Sequence, residues 1–194
     1  MKKLIIFIVV AALVLFGTSF ALHDAAEKKA QEEHLWLMQT LLPGSENFTV
    51  EPYSGEDTNI RSVHKAENGF VIETATRGYA DDITVFVGVS NDGKVTGLVV
   101  YEAHETFGLG NEALTDHVFL SQFLNSAGTF AVAANGPDAF SGATGEAESA
   151  GDTVDVDGIT GATVTSKAIV RCVNSAVAYV TGADTSSGAT SWGG

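Results

Sequence analysis

Asp157-Gly158-Ile159-Thr160-Gly161-Ala162-Thr163-Val164-Thr165-Ser166 ends a glycine-containing turn and opens the most regular amphipathic pattern in the chain. Downstream, Ile169, Cys172, Val173, Ala176, Val177 and Val180 recur at i, i+3, i+4, i+7, i+8 and i+11, one face of a 3.6-residue helix. The pattern predicts a helix to Val180 that starts at Val164 to Ser166, where a Thr or Ser hydroxyl can cap the first free backbone N–H groups. The same N–H groups, with the helix dipole behind them, favour a phosphate at that point. Thr165 sits where both can happen, although an ordinary capped helix after a glycine turn would read the same way.

Upstream, Phe70 to Thr76, Ile83 to Val89 and Lys94 to Tyr101 are rich in β-branched and aromatic residues. Asn91-Asp92-Gly93 between the last two is a tight-turn signal, so these two strands are expected to form an antiparallel hairpin. Leu114 to Asn125 reads as a short helix with Phe119 and Phe123 toward the core, and Thr129 to Ala134 as a further strand. The fold class expected is α+β, an antiparallel sheet backed by helices. Residues 135–155 are rich in Gly, Ala and acids and read as a mobile loop. Within them Asp138-Ala139-Phe140-Ser141-Gly142-Ala143-Thr144-Gly145-Glu146 nearly copies 157–165, but Glu146 replaces the last hydroxyl and no amphipathic helix follows. Ser187 to Trp192 fails the same test, and 184–194 reads as a flexible tail.

Ten Lys and Arg stand against 24 Asp and Glu, a net charge of −14 that cannot neutralise a nucleic-acid backbone. The single Cys172 excludes an intrachain disulfide and a multi-cysteine iron–sulfur site, and its place on the apolar helix face suits core packing. Lys2 and Lys3 precede an uncharged run from Leu4 to Leu22, which as a helix spans roughly 28 Å. We read residues 1–22 as a retained membrane anchor with the N-terminus inside and the domain outside. A cleaved signal peptide is the competing reading, because Ser19-Phe20-Ala21 has small-x-small spacing. Residues 23–43 read as a helical spacer, with His34 and Trp36 as solvated or packing residues, and 44–183 as one globular domain whose start, to Arg61, is a surface loop with one short strand. The five His show no metal-ligand spacing, and no G-x-G-x-x-G opens a nicotinamide site.

Thr160-Gly161-Ala162-Thr163-Val164-Thr165 resembles the [ST]-G-A-T-x-[ST] signature of the FMN-binding domains of the G subunit of Rnf electron-transport complexes and the C subunit of sodium-pumping quinone reductases. Gly78-Tyr79 with the strand from Ile83 to Val89, and Asp92 to Gly97, resemble the same family. So does His104-Glu105-Thr106-Phe107-Gly108-Leu109-Gly110, with Phe107 where the family has Pro. The resemblance implies FMN held by a phosphoester to Thr165. It also implies cofactor contacts from Thr160, Gly161, Ala162, Thr163, Ser166, Glu105, Thr106, Gly108, Leu109 and Gly110. The role implied is electron relay by a membrane-anchored G-like subunit within a complex linking ferredoxin and NAD to Na+ or H+ translocation. No base stands beside Thr165 in sequence to activate it, so a flavin transferase is implied too. A C-like subunit of a quinone reductase, a stand-alone exported flavoprotein and a non-redox anchored domain are the alternatives.

Overall fold

In the computed structural model of the chain, residues 26–103, 114–133 and 153–183 are described. The chain divides into two compact units, Met1–Met38 and Gln39–Gly194. In the first, the described residues are helical and mostly exposed, and Lys29 and Glu33 form an i,i+4 ion pair. The helix, α1, runs over 26–41, within the spacer expected at 23–43. No helix among the described residues is long and apolar enough to cross a membrane. The anchor expected at 1–22 and the tail expected at 184–194 lie outside the described residues.

The second unit is built on an antiparallel meander of β1 (Thr49–Glu51), β2 (Ile60–Ala66), β3 (Gly69–Arg77), β4 (Asp82–Ser90) and β5 (Val95–Ala103), paired in that order. The expected hairpin is present: Gly93 N–H donates to the Ser90 carbonyl and Ser90 N–H to the Lys94 carbonyl, both at 2.9 Å, with Gly93 at φ 80°. After β5 come α2 (His117–Ser121), β6 (Thr129–Val132), β7 (Thr153–Val156) and α3 (Thr163–Thr181). Helix α3 stops at Gly182, which takes the left-handed conformation at φ 70° that a side chain would oppose.

Helix α3 lies across β3 and β4. Its Ile169, Cys172, Val173, Ala176 and Val177 are buried against Val63, Ile72, Ile83, Val85, Val87 and Val89, the inward positions of an alternating pattern. Burying each Val or Ile of this set contributes about 1.5–3 kcal/mol. Phe119, Phe123 and Phe130 complete the core as an aromatic wedge with ring centroids 5.4 and 5.2 Å apart. On the opposite face, Gly88 and Gly97 are register partners under Leu41. A Cβ at Gly88 would lie 2.1 Å from the Leu41 carbonyl oxygen, which accepts a 2.6 Å hydrogen bond from Thr96 Oγ1.

Four expectations need correction. Residues 60–66, read as loop up to Arg61, form β2 by pairing with β3, although Ile60 and Val63 alone supply its buried face. Thr153 to Asp155, read as the end of a mobile loop, belong to β7, which pairs parallel with β6 in a separate two-stranded sheet. The helix expected over 114–125 is interrupted at Asp116, whose carboxylate caps α2 by accepting from Val118 and Phe119 N–H at 2.8 and 3.0 Å. Finally, α3 begins at Thr163 after Ala162, which caps nothing with its side chain.

Candidate functional site

The long-range hydrogen bonds of α3 show which end of the sheet its start occupies. Thr76 Oγ1 donates to the Ala168 carbonyl at 3.0 Å, Arg171 Nη2 to the Arg77 carbonyl at 2.8 Å, and Cys172 Sγ lies 3.9 Å from the Ile83 carbonyl. Residues 76–77 close β3 and Ile83 lies near the start of β4, paired with Ala103 at the end of β5. Ala103 immediately precedes His104, so the chain enters the segment containing Glu105, Thr106, Gly108, Leu109 and Gly110 from the end of the sheet where α3 begins. Those five residues themselves lie outside the described residues.

The turn from Asp157 to Ala162 is held at several points. Ser166 Oγ accepts the Ile159 N–H at 3.1 Å and donates to the Ala162 carbonyl at 3.0 Å. Ala162 N–H donates to the Ile159 carbonyl at 2.9 Å, and Gly161 between them adopts φ 80°. A Cβ at Gly158 would lie 2.7 Å from Val132 Cγ1, so the turn passes close over β6. At its entry Gln122 offers its amide to both backbone groups of Asp157, Nε2 donating to the carbonyl at 3.1 Å and Oε1 accepting the N–H at 2.7 Å.

The structure therefore joins Thr160, Gly161, Ala162, Thr163, Thr165 and Ser166 into one turn and helix start. Thr160 and Gly161 are exposed, Thr163 is half-buried, and Thr165 occupies the third helical position with only 1% of its surface exposed. The N-cap residue is Ala162, not Thr165; it makes no side-chain cap hydrogen bond, and the first turn carries no acid. A helix start whose N-cap offers no side chain, with no carboxylate in its first turn, suits a phosphate. Ser166 is buried and locks the turn from within. Sequence reading missed Gln122, since a glutamine closing a five-residue helix carries no pattern of its own.

Other chemistry is less supported. Cys172 is buried, and burial pushes its thiol above the ordinary range despite the Thr76 hydroxyl 3.5 Å away, which keeps it a protonated core group. Among the described residues no group of three His, Cys, Asp or Glu is placed to hold a metal ion.

Residues 78–178 match the family model of the FMN-binding domain. Among curated proteins the chain is similar to the G subunit of the Na(+)-translocating ferredoxin:NAD(+) oxidoreductase complex of Acetobacterium woodii, 26% identical with 90% of this chain and 87% of that protein covered. It is also similar to the G subunit of the ion-translocating oxidoreductase complex of Erwinia tasmaniensis, 37% identical over 55% of this chain and 46% of that one, about half its length. Among solved structures, Shewanella oneidensis NqrC aligns at TM-score 0.47 and 19% identity, over 75% of this chain and 73% of that one.

Proposed function

The chain belongs to the FMN-binding domain family, and from that premise we propose that it is a G-type subunit of an ion-translocating ferredoxin:NAD(+) oxidoreductase complex of the Rnf type, carrying FMN by a phosphoester to Thr165. The observation that carries the reading is the family match over 78–178, which takes in both the His104 to Gly110 segment and the Thr160 to Ser166 turn. The names of the Acetobacterium and Erwinia relatives support the assignment to such a complex. When bound, FMN supplies the electron-transfer chemistry through its isoalloxazine ring.

The chain's own residues hold and shield that group. The N–H groups opening α3 would hold the phosphate, at a helix start whose N-cap, Ala162, makes no side-chain cap and whose first turn carries no acid to repel it. Gly161, at positive φ, brings the backbone round to the helix without a side chain in the way. Ser166 keeps that turn in place, and Thr160, Ala162 and Thr163 line it. Glu105, Thr106, Gly108, Leu109 and Gly110 are proposed as the contacts from the other segment. A covalent link keeps the carrier loaded in an exported domain, where dissociated FMN would be lost. A flavin transferase, the other subunits of the complex and a membrane reached through Leu4 to Leu22 are the partners this reading requires.

The test is to produce the full chain with a flavin transferase and separate it by denaturing electrophoresis. A fluorescent band that vanishes in Thr165→Val and persists in Thr163→Val, Thr144→Val and Thr190→Val is the expected result. An active transferase that leaves the wild-type chain dark would overturn the covalent reading. Retention with membranes through a carbonate wash tests the anchor separately, and a chain released with an N-terminus near Leu22 would establish cleavage instead.

A further inference from the structure

We propose that Gln122 is a positioning residue for the flavin-bearing turn, its amide standing in for the strand neighbour that Asp157 lacks and so setting the direction in which 158–162 leave β7. The proposal rests on the FMN reading above for its functional meaning, though the clamp itself does not.

Strand β7 ends at Val156, and Asp157 is the first residue past the pairing with β6. A side-chain amide offers one donor and one acceptor with the spacing of a peptide group, so Gln122 meets the Asp157 carbonyl and N–H as another strand would. Its own place is fixed from the core: it closes α2, its N–H donating to the Phe119 carbonyl at 3.2 Å, on the stretch that carries the buried Phe119 and Phe123. Only Gly158 separates this clamp from Ile159, where Ser166 takes over. The turn is thus held at its entry from α2 and at its exit from α3, and releasing the entry leaves Gly158 as a hinge.

Both Gln122 bonds are accessible to water, so they add little to overall stability while still fixing direction. A control of the same chemistry exists in the same fold. Asn174 on α3 grips Phe130 on β6 with an identical pair of bonds, its Oδ1 accepting the N–H at 2.8 Å and its Nδ2 donating to the carbonyl at 2.9 Å. That clamp is part-buried and acts on β6 instead of the turn.

The experiment compares Gln122→Leu and Asn174→Leu in the full chain, unloaded and loaded by the transferase. In Gln122→Leu, amide exchange at Asp157 and Ile159 should accelerate about tenfold in the unloaded chain. Flavin fluorescence anisotropy should fall in the loaded chain, and the melting temperature should move by no more than about 2 °C. Asn174→Leu should lower the melting temperature and leave both turn readouts unchanged. Gln122→Glu, which keeps the acceptor and loses the donor, serves if the leucine variant does not fold, and should show smaller changes of the same sign. Wild-type exchange and anisotropy in both Gln122 variants, or equal loosening by Asn174→Leu, would overturn the proposal. A dark wild-type chain with accelerated exchange in Gln122→Leu would sink the flavin reading and leave the clamp standing.

Discussion

Ser166 accepts the Ile159 N–H at 3.1 Å, so the helix that follows the glycine turn also holds the turn that precedes it. The same hydroxyl donates to Ala162, and its residue is buried. Ser166→Ala leaves the Ile159 N–H without that acceptor, which should lower stability by about 1–3 kcal/mol in urea unfolding. A variant with the wild-type midpoint and slope would show that the turn is held by other means.

Thr165 is 1% exposed, yet it is the hydroxyl proposed to carry the flavin. Attachment to the folded chain should therefore wait for local opening of the first turn of α3. With purified folded chain, the loading rate should level off as transferase is added, at the rate of amide opening around Thr165, whereas co-production should load the chain fully. A rate that keeps rising in proportion to transferase would mean the hydroxyl is reached without opening.

Gly88 and Gly97 offer a graded test of the contact with Leu41. A Cβ at Gly88 meets the Leu41 carbonyl oxygen at 2.1 Å and backbone carbon at 2.7 Å, while one at Gly97 meets Leu41 Cα at 3.0 Å. Gly88→Ala should destabilise the domain by about 1–3 kcal/mol, as overpacking does, and Gly97→Ala by less. Equal or reversed effects on the denaturation midpoint would contradict the geometry.

The Cys172 thiol is held above its ordinary pKa of about 8.5, chiefly by burial. A group with a raised folded pKa contributes stability that is complete below its unfolded pKa and is lost as pH rises through the folded value. Stability should thus fall above about pH 8.5, and Cys172→Ser or Cys172→Ala should flatten that fall. Under native conditions at pH 8 a disulfide reagent should label Cys172 only at the rate of unfolding; rapid labelling would place the thiol at the surface.

Much of this fold is legible in sequence because its central elements are locally consistent. β3 and β4 extend the expected runs by one residue at each end, β5 starts one residue later and ends two later, and the six-position apolar face of α3 is the face that packs, with Val180 half-buried. Strand β2 was hidden because Arg61, Ser62, His64 and Lys65 crowd its sequence, and its strand character comes from pairing with β3. Strand β7 was hidden because its parallel partner is 24 residues upstream, Thr129 against Thr153, with an acidic, glycine-containing segment between. The helix start was misplaced by one residue for a chemical reason: Thr and Ser invite a cap, but Ser166 spends its hydroxyl on the turn behind it, and Ala162 takes the capping position.

The glycine seat beneath Leu41 also decides how the domain bears tension. The next strand after Leu41 is β1, three residues long and at the edge of the sheet, the strand that would peel first under a pull. Because Thr96 grips the Leu41 carbonyl and Gly88 and Gly97 admit its backbone, a tug arriving from the N-terminal side is delivered to β4 and β5, past the weak edge. The domain can be tethered by its N-terminal side and still keep β1 slack.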